Sequence, residues 1–331
     1  MSMITEYDSL LLDLDGTIWE GGRAIDDAVD AIIGAGLPVV YVTNNASRAP
    51  GAVAEQLRGI GLDSATSGDV MTSAQAAVIM ASEKIPAGSP VYILGTDSFR
   101  DLARDAGFQV ADSADDRPVA VLHGHNPATG WAQLSEAALS IHNGALYFAS
   151  NLDTTLPMER GLHVGNGSMV AAVVSATGVT PEAAGKPGPA MFFKAAEQLA
   201  SARPLVVGDR LDTDIAGGNA AGMDTFQVLT GVSGHYALLT AVAGQRPDFI
   251  ADTLADLTAD PDALRPGPQG GFTAQVEGEE VVLEGGDDSS TPTQALRTVL
   301  AAAWAVEESA VTVTRVRAAS MAATTALEAW W

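Results

Sequence analysis

Two aspartates, Asp13 and Asp15, follow an uncharged apolar run at residues 10–12. Such a run is typical of a strand buried on both faces, as in a parallel sheet covered by helices. Because side chains alternate along a strand, both carboxylates leave the chain on the same side, and Gly16 permits a sharp turn directly after them. A carboxylate pair aimed at one point can handle protons or hold a cation. The same residues would also fit a strand end followed by an ordinary polar turn without a catalytic role.

Three further stretches carry polar side chains at comparable places. These residues are Thr43, Asn44, Asn45, Lys186, Asp209, Asp212 and Asp214. The first three follow an apolar strand pattern at 37–42, the aspartates follow another at 205–208, and the lysine precedes a helical pattern at 190–201. In open α/β sheets, ligands bind beyond the carboxyl ends of the strands, so we expect these groups to share one crevice. Several carboxylates crowd together only around a cation, and hard oxygen ligands with no His or Cys nearby indicate magnesium.

These four motifs, in this order, resemble those of the haloacid dehalogenase superfamily of phosphohydrolases. The matching segments are 13–17, 43–45, 186 and 208–215. The last segment, together with Asn44, Asn45 and the Gly-Lys-Pro string around Lys186, is similar to one branch of that superfamily. This branch contains p-nitrophenylphosphatases, phosphoglycolate phosphatases and glycerol-3-phosphate phosphatases. The resemblance spans roughly residues 8–260.

The resemblance implies magnesium-dependent hydrolysis of a small phosphate monoester through an aspartyl-phosphate intermediate. Asp13 would be the nucleophile, and Asp15 would protonate the leaving oxygen and then take a proton from water. The magnesium ligands would be the carboxylates of Asp13 and Asp209 and the backbone carbonyl of Asp15. Asp214 would orient a metal-bound water or the lysine, and the spacing assigns no role to Asp212.

The resemblance makes Thr43, Asn44 and Lys186 the residues that bind the transferring phosphoryl group. The formal net charge of −24, from 41 acidic and 17 basic residues, would repel nucleic acid and anionic membrane surfaces. A phosphorylated metabolite would be repelled as well, so its site must carry local positive charge. Lys186 and the divalent cation would supply that charge.

The spacing of the motifs predicts the domain organisation. The interval between the second and third motifs is far longer than one strand and one or two helices require, so any inserted domain lies there. The expected fold is a Rossmann-like parallel-sheet α/β core with an inserted α/β cap domain and a small C-terminal α+β appendage. The predicted boundaries are 1–84 and 180–262 for the core, 85–179 for the cap, 263–271 for a linker and 272–331 for the C-terminal module.

A cap of this kind decides the substrate in the family that the chain resembles. Its candidate substrate-facing residues here are His125, Asn126, Asn151 and Asp153, all of which follow strand patterns and also fit simple turns. His123 and His125 form a His-x-His pair with no further His nearby, and their roles stay open. The expected substrates are glycerol phosphate, phosphoglycolate and related polyol or sugar phosphates. Caps of this branch often mediate dimers, so a homodimer is a further expectation.

The C-terminal segment falls outside the phosphatase resemblance. Its patterns predict a β-β-α-β-α order, with a hairpin at 272–284, a helix at 292–307, a strand at 311–316 and a helix at 321–331. A piece of this length is small for independent stability, so we expect it to pack against the core or a partner. A remnant of an acyltransferase-like module is one interpretation, but the segment has no Gly-rich loop for a pantetheine phosphate. A structural or interaction role is therefore the expectation.

Composition bounds the remaining alternatives. The chain has 331 residues, 47% of them apolar, which suggests two or three domains. It has no cysteine, so disulfides, thiolate metal sites and cysteine nucleophiles are excluded. No apolar stretch reaches the roughly 18 residues of a membrane span, and no leader pattern opens the sequence, so the expected location is the cytoplasm. Two other functions stay open: a non-catalytic phosphate-binding sensor or scaffold, and phosphotransfer to an acceptor other than water.

Overall fold

The computed structural model describes residues 2–158, 160–306 and 313–331. They form two compact units, one comprising Met1–Val39 with Gln198–Trp331 and the other Val40–Glu197. The strands, in chain order, are β1 (Ser9–Leu12), β2 (Trp19–Glu20), β3 (Arg23–Ala24), β4 (Val39–Thr43), β5 (Val70–Thr72), β6 (Pro90–Leu94), β7 (Gln109–Ala111), β8 (Ala120–His123), β9 (Leu146–Ala149), β10 (Thr155–Met158), β11 (Gly161–Val164), β12 (Glu182–Ala183), β13 (Pro204–Gly208), β14 (Asp224–Val228), β15 (Phe249–Ala251), β16 (Phe272–Glu277), β17 (Glu280–Gly285) and β18 (Arg315–Ala318). The helices are α1 (Ala28–Ala35), α2 (Pro50–Gly59), α3 (Ser73–Ser82), α4 (Asp97–Asp105), α5 (Trp131–His142), α6 (Asn166–Thr177), α7 (Ala190–Gln198), α8 (Ala216–Ala220), α9 (His235–Leu239), α10 (Pro261–Leu264), α11 (Pro292–Ala305) and α12 (Met321–Glu328).

The first unit is built on parallel strands in the order β15, β14, β13, β1. Ser9 of β1 lies opposite Pro204 of β13, and Leu12 lies opposite Val207. All four residues of β1 are buried, as are residues 205–208 of β13. The continuous apolar runs at 10–12 and 205–208 therefore form buried parallel strands, and that prediction is confirmed.

The second unit contains an α/β sheet of its own. Its five strands are parallel and run in the order β12, β9, β8, β6, β7. Helices α5 and α6 pack on this sheet through a cluster that includes Tyr92, Val121, Ala137, Tyr147 and Val170. The predicted cap interval, 85–179, contains four of the five strands, which confirms an inserted α/β element. The exact boundaries stay a prediction.

Short elements of the second unit were not predicted from the sequence. They are the three-residue strands β5 and β7 and the hairpin formed by β10 and β11. The strands β5 and β7 have only three residues each, too few to display a two-residue alternation, so the pattern could not reveal them.

The C-terminal module belongs to the first unit. Strands β16 and β17 pair antiparallel, and β17 and β18 pair parallel. Helix α11 begins as the sequence predicts, because Thr291 caps it and Pro292 occupies its first turn. The predicted helix at 292–307 ends at Ala305 in the structure. The predicted strand at 311–316 overlaps β18 only at residues 315–316, because β18 begins at Arg315 and ends at Ala318. Residues 307 and 311–312 lie outside the described residues.

The module packs on the rest of the first unit, here called the core, through one continuous hydrophobic cluster. Module side chains such as Leu296, Leu300 and Trp330 share this cluster with Ile215 and Leu238 of the core. The expectation that the module packs against the core is therefore confirmed. Among the described residues, no helix has both the length and the apolar character needed to cross a lipid bilayer.

Candidate active site

Three aspartate carboxylates meet at the carboxyl end of the first unit's sheet. Asp13 directly follows β1, Asp209 directly follows β13, and Asp214 lies on the π-helical turn Leu211–Ile215. One carboxylate oxygen from each lies within 4.8 Å of the other two, and Asp209 and Asp214 are buried. Carboxylates held this close in a buried place need a cation, because ionised groups removed from water repel one another strongly. An all-oxygen donor set fits magnesium.

Two glycines pack directly against the Asp209 carboxylate. A Cβ added to Gly231 would lie 2.0 Å from Asp209 Oδ2, and one added to Gly16 would lie 2.6 Å from the same atom. Gly16 also has a φ of +85°, a conformation that other residues rarely adopt. The backbone N–H of Val232 donates to Asp209 Oδ2 at 2.6 Å. The carboxylate is thus held in one orientation by close backbone contacts.

The segment after β14 provides further contacts to these residues, and the sequence interpretation missed it. Thr230 Oγ1 donates to the backbone oxygen of Gly16 at 2.6 Å. The Ser233 N–H and the buried side chain of Gln227 both donate to the backbone oxygen of Asp209, at 3.1 and 2.7 Å. The available signal was a Thr-Gly-Val-Ser-Gly string at the carboxyl end of a core strand, which is the edge where ligands bind.

Asp15 is not one of the three clustered carboxylates. Its side chain is exposed, and its Oδ1 accepts a hydrogen bond from the buried indole Nε1 of Trp19 at 2.8 Å. The short hairpin of β2 and β3 carries this tryptophan. An exposed carboxylate with a fixed orientation suits a group that exchanges protons with substrate and water.

The acidic fourth motif divides into a buried acid and an exposed one. Asp214 Oδ2 accepts from the backbone N–H of Arg210 at 3.1 Å, while the Arg210 side chain pairs with the exposed Asp212 carboxylate at 2.9 Å. Asp212, to which the sequence assigned no role, therefore forms a surface ion pair. Asp214 joins the carboxylates predicted as metal ligands, so the cluster has one more acid than the predicted carboxylate pair.

In the second unit, Asn44 and Lys186 bind each other reciprocally. The backbone N–H of Lys186 donates to Asn44 Oδ1 at 2.9 Å, and Asn44 Nδ2 donates to the Lys186 backbone oxygen at 3.1 Å. Lys186 is buried, and its Nζ donates to the backbone oxygen of Val42 at 3.0 Å. Thr43 is buried beside them, and its hydroxyl accepts from the Asn45 N–H at 3.1 Å. The second and third predicted motifs are thus brought together.

Two of the predicted cap residues contact the same asparagine. The Asp153 carboxylate accepts from Asn44 Nδ2 at 3.1 and 3.3 Å, and Asn151 Nδ2 donates to the Asn44 backbone oxygen at 2.7 Å. Asn166 in turn donates to the Asn151 backbone oxygen at 2.8 Å. Asn151 and Asp153 therefore contact Asn44 of the second motif, and the sequence did not predict these contacts.

The other two cap candidates lie in different surroundings. Asn126 Nδ2 donates to the Gly95 backbone oxygen at 2.8 Å, which ties the segment after β8 to the segment after β6. Burial lowers the pKa of the partly buried His125. His123 is fully buried, bonds the Tyr147 hydroxyl through Nδ1 at 2.8 Å, and has its pKa lowered to about 3 by burial. Within the described part of the chain, the three aspartates are the only cluster of three or more potential metal-binding side chains, and neither histidine of the His-x-His pair belongs to it.

The parallel-sheet α/β fold and the carboxylate cluster agree with the haloacid dehalogenase-like class that the four motifs resemble, and comparison with known proteins gives the same class. Residues 10–109 match the model of haloacid dehalogenase-like hydrolases, and residues 183–257 match a second model, described as HAD-hydrolase-like. The D-glycerol 3-phosphate phosphatase of Mycobacterium tuberculosis is 43% identical over 282 residues, which cover 85% of this chain and 80% of that protein. The acid sugar phosphatase of Staphylococcus aureus is 39% identical over 233 residues, which cover 69% of this chain and 88% of that protein.

Solved structures give the same result. The crystal structure of a glycerol phosphate phosphatase from Mycobacterium tuberculosis in complex with magnesium superposes with a TM-score of 0.93 at 40% identity, covering 100% of this chain and 98% of that one. The chain therefore belongs to the haloacid dehalogenase-like hydrolase family. It is a phosphoric monoester hydrolase and not a non-catalytic phosphate sensor. Residues 269–330 match the model of a GCN5-related N-acetyltransferase like domain, which agrees with the acyltransferase-like interpretation of the C-terminal module.

Proposed function

We propose that this protein hydrolyses glycerol 3-phosphate, or a closely related small polyol or sugar phosphate, in a magnesium-dependent reaction. The observation that carries the proposal is the cluster of Asp13, Asp209 and Asp214, with carboxylate oxygens within 4.8 Å of one another. The substrate follows from the 43% identical relative, which is named a D-glycerol 3-phosphate phosphatase. Phosphoglycolate stays a second candidate.

The proposed reaction has two steps. A carboxylate oxygen of Asp13 attacks the phosphorus, the bond to the alkoxide breaks, and Asp15 gives a proton to the leaving oxygen. Water then attacks the phosphorus of the aspartyl-phosphate, Asp15 takes up the proton, and inorganic phosphate leaves. Asp13 is restored as a carboxylate and Asp15 as an acid. The hydrogen bond from Trp19 holds Asp15 in place for both transfers.

The proposed metal ligands are the carboxylates of Asp13 and Asp209 and the backbone carbonyl of Asp15. Asp214 would bind the water shell of the ion, since magnesium usually keeps several waters. Bound magnesium would neutralise the charge that builds up on the phosphoryl oxygens. The structure fits such an ion, because the donors are all oxygens and the glycine contacts hold the Asp209 carboxylate rigidly.

The proposed phosphate-binding groups are the Thr43 hydroxyl, Asn44 and the Lys186 ammonium. Both polar atoms of the Asn44 side chain are already bonded to Lys186 and Asp153, so we assign its backbone N–H to the phosphoryl group. Lys186 supplies a fixed positive charge in a chain with a net charge of −24. This charge offsets the repulsion that a phosphate ester would otherwise meet.

A panel of phosphate esters tests the substrate. Release of inorganic phosphate would be measured from glycerol 3-phosphate, phosphoglycolate, sugar phosphates and p-nitrophenyl phosphate, with magnesium and with EDTA. We expect the highest kcat/KM for glycerol 3-phosphate and no release in EDTA. If no ester released inorganic phosphate in the presence of magnesium, the proposal would be refuted. Added alcohols separate hydrolysis from phosphotransfer, because an acceptor other than water would yield a new phosphate ester.

We also propose a homodimer formed through the outer face of α5. Trp131 is 84% exposed and Leu139, two turns further on, is 51% exposed, so this face presents apolar surface to a second copy. Light scattering should show a dimer that Trp131→Ala converts to a monomer. Met321→Ala, at another residue that is 82% exposed, is the matched control.

The cytoplasmic location stays a prediction that cell fractionation would test.

A further inference from the structure

The segment Thr230 to Gly234, here called the Asp209 loop, contacts catalytic-motif residues on one side. Its Val232 N–H donates to the Asp209 carboxylate at 2.6 Å, and its Thr230 hydroxyl donates to the Gly16 backbone oxygen at 2.6 Å. Because these bonds come from the loop, the orientation of the Asp209 carboxylate depends on the loop staying ordered.

The other end of the Asp209 loop contacts the C-terminal module. A Cβ added to Gly234 would lie 2.5 Å from both the backbone oxygen and the ring atom Cε3 of Trp331. The Tyr236 N–H donates to that backbone oxygen at 3.3 Å. The imidazole of His235 stacks on the indole of Trp330, with ring centroids 5.4 Å apart and an interplanar angle of 19°. Two tryptophans of the module thus cover the loop and the first turn of α9.

One of these two tryptophans, Trp330, is itself anchored in the module. Trp330 is buried, and its Nε1 donates to the Pro292 backbone oxygen at 3.2 Å. Trp304 of α11 donates from Nε1 to the Leu238 backbone oxygen at 3.3 Å, which ties the helix after the loop to the same module. The loop therefore lies between the module and the acidic cluster.

A loop with two glycines among five residues has much conformational freedom to lose on ordering. Contacts at both of its ends reduce that freedom before any ligand binds. We propose that Trp330 and Trp331 are positioning residues for the metal ligand Asp209, acting through the Asp209 loop. The inference rests on the proposed role of Asp209 in binding magnesium. The C-terminal module would then have a structural function, the positioning of Asp209, that requires no acyl donor.

Calorimetric titration of magnesium into the full-length protein tests the inference. Trp331→Ala is the informative variant, since Trp331 is 51% exposed and its truncation should leave the fold intact. We expect a roughly tenfold rise in the Kd for magnesium, the lower end of what loss of a ligand's supporting partner causes. Trp331→Phe should restore part of the affinity. Met321→Ala, on α12 of the same module and 82% exposed, should bind magnesium like the wild type.

Two further measurements separate a positioning role from general destabilisation. At saturating magnesium, Trp331→Ala should keep its KM for the phosphate ester, and the rise in Tm that magnesium produces should shrink. A Kd for magnesium within twofold of the wild type, with or without a lower Tm, would overturn the inference. Asp209→Asn tests the underlying assignment separately: if this variant binds magnesium as tightly as the wild type, the proposed metal site itself is wrong.

Discussion

Gly231→Ala should displace the proposed magnesium ligand Asp209 without adding any polar group. The new Cβ would lie 2.0 Å from Asp209 Oδ2 and 2.4 Å from its Cγ, whereas ordinary contact begins at 3.4 Å. The carboxylate must therefore move by about 1.4 Å, the difference between 3.4 and 2.0 Å. Metal–ligand distances tolerate only about 0.2 Å. The displacement thus removes Asp209 from the coordination distance, or forces the Asp209 loop to shift.

We expect this substitution to weaken magnesium binding roughly 10- to 100-fold, which corresponds to about 1.4–2.8 kcal/mol. The assay is calorimetric titration of magnesium, with kcat measured over a range of magnesium concentrations. Gly244→Ala is the matched control, because a Cβ at Gly244 meets nothing within 4 Å. If Gly231→Ala binds magnesium within twofold of the wild type, the reasoning from backbone contact to metal affinity is wrong.

We make three other predictions, on Asp13, on the hydrogen-bonded pair of Asn44 and Lys186, and on His123. Asp13→Asn should lower kcat by about 10⁴-fold or more while the circular dichroism spectrum stays that of the wild type, because the proposed nucleophile and one proposed magnesium ligand are lost but the fold is kept. Asn44→Ala should raise the KM for the ester roughly tenfold, because the bonds that fix Lys186 disappear; steady-state kinetics measures this. His123, whose pKa burial lowers to about 3, stays neutral in the folded protein while the unfolded chain takes up a proton below about pH 6.5. The free energy of unfolding should therefore fall as pH drops below about 6.5, by at most about 1.4 kcal/mol per pH unit from this group, and urea titrations at pH 7 and pH 5 measure it.

Each of these predictions has a contradicting result. A kcat of Asp13→Asn within about 10²-fold of the wild type would assign the nucleophile elsewhere. An unchanged KM in Asn44→Ala would show that the hydrogen bonds to Lys186 do not matter for substrate binding. If His123→Asn shows the same loss of stability between pH 7 and pH 5 as the wild type, other groups cause that loss.

The sequence was most informative where residue type and strand position coincide. The runs at 10–12 and 205–208 are continuously apolar, as is typical of strands covered on both faces. The sequence therefore predicted that Asp13 and Asp209 lie at the carboxyl ends of two buried strands. The meeting of Asn44 with Lys186 was predictable for a similar reason, since both belong to motifs expected at one sheet edge.

What the sequence could not reveal depends on backbone atoms and on burial. The Asp209 loop acts through the N–H of Val232 and the missing side chain of Gly231, and neither leaves a periodic pattern. His123 at a strand end could be a ligand or a core residue. Its burial and its hydrogen bond to Tyr147 show that it is a core residue.

The central claim is that the Asp13 carboxylate becomes phosphorylated during turnover. Rapid acid quenching with phosphorus-labelled glycerol 3-phosphate and magnesium, followed by peptide mapping, tests it most directly. The account predicts a covalent label on the peptide that contains Asp13, absent from Asp13→Asn. A label on another residue, or hydrolysis with no labelled enzyme at any quench time, would contradict it.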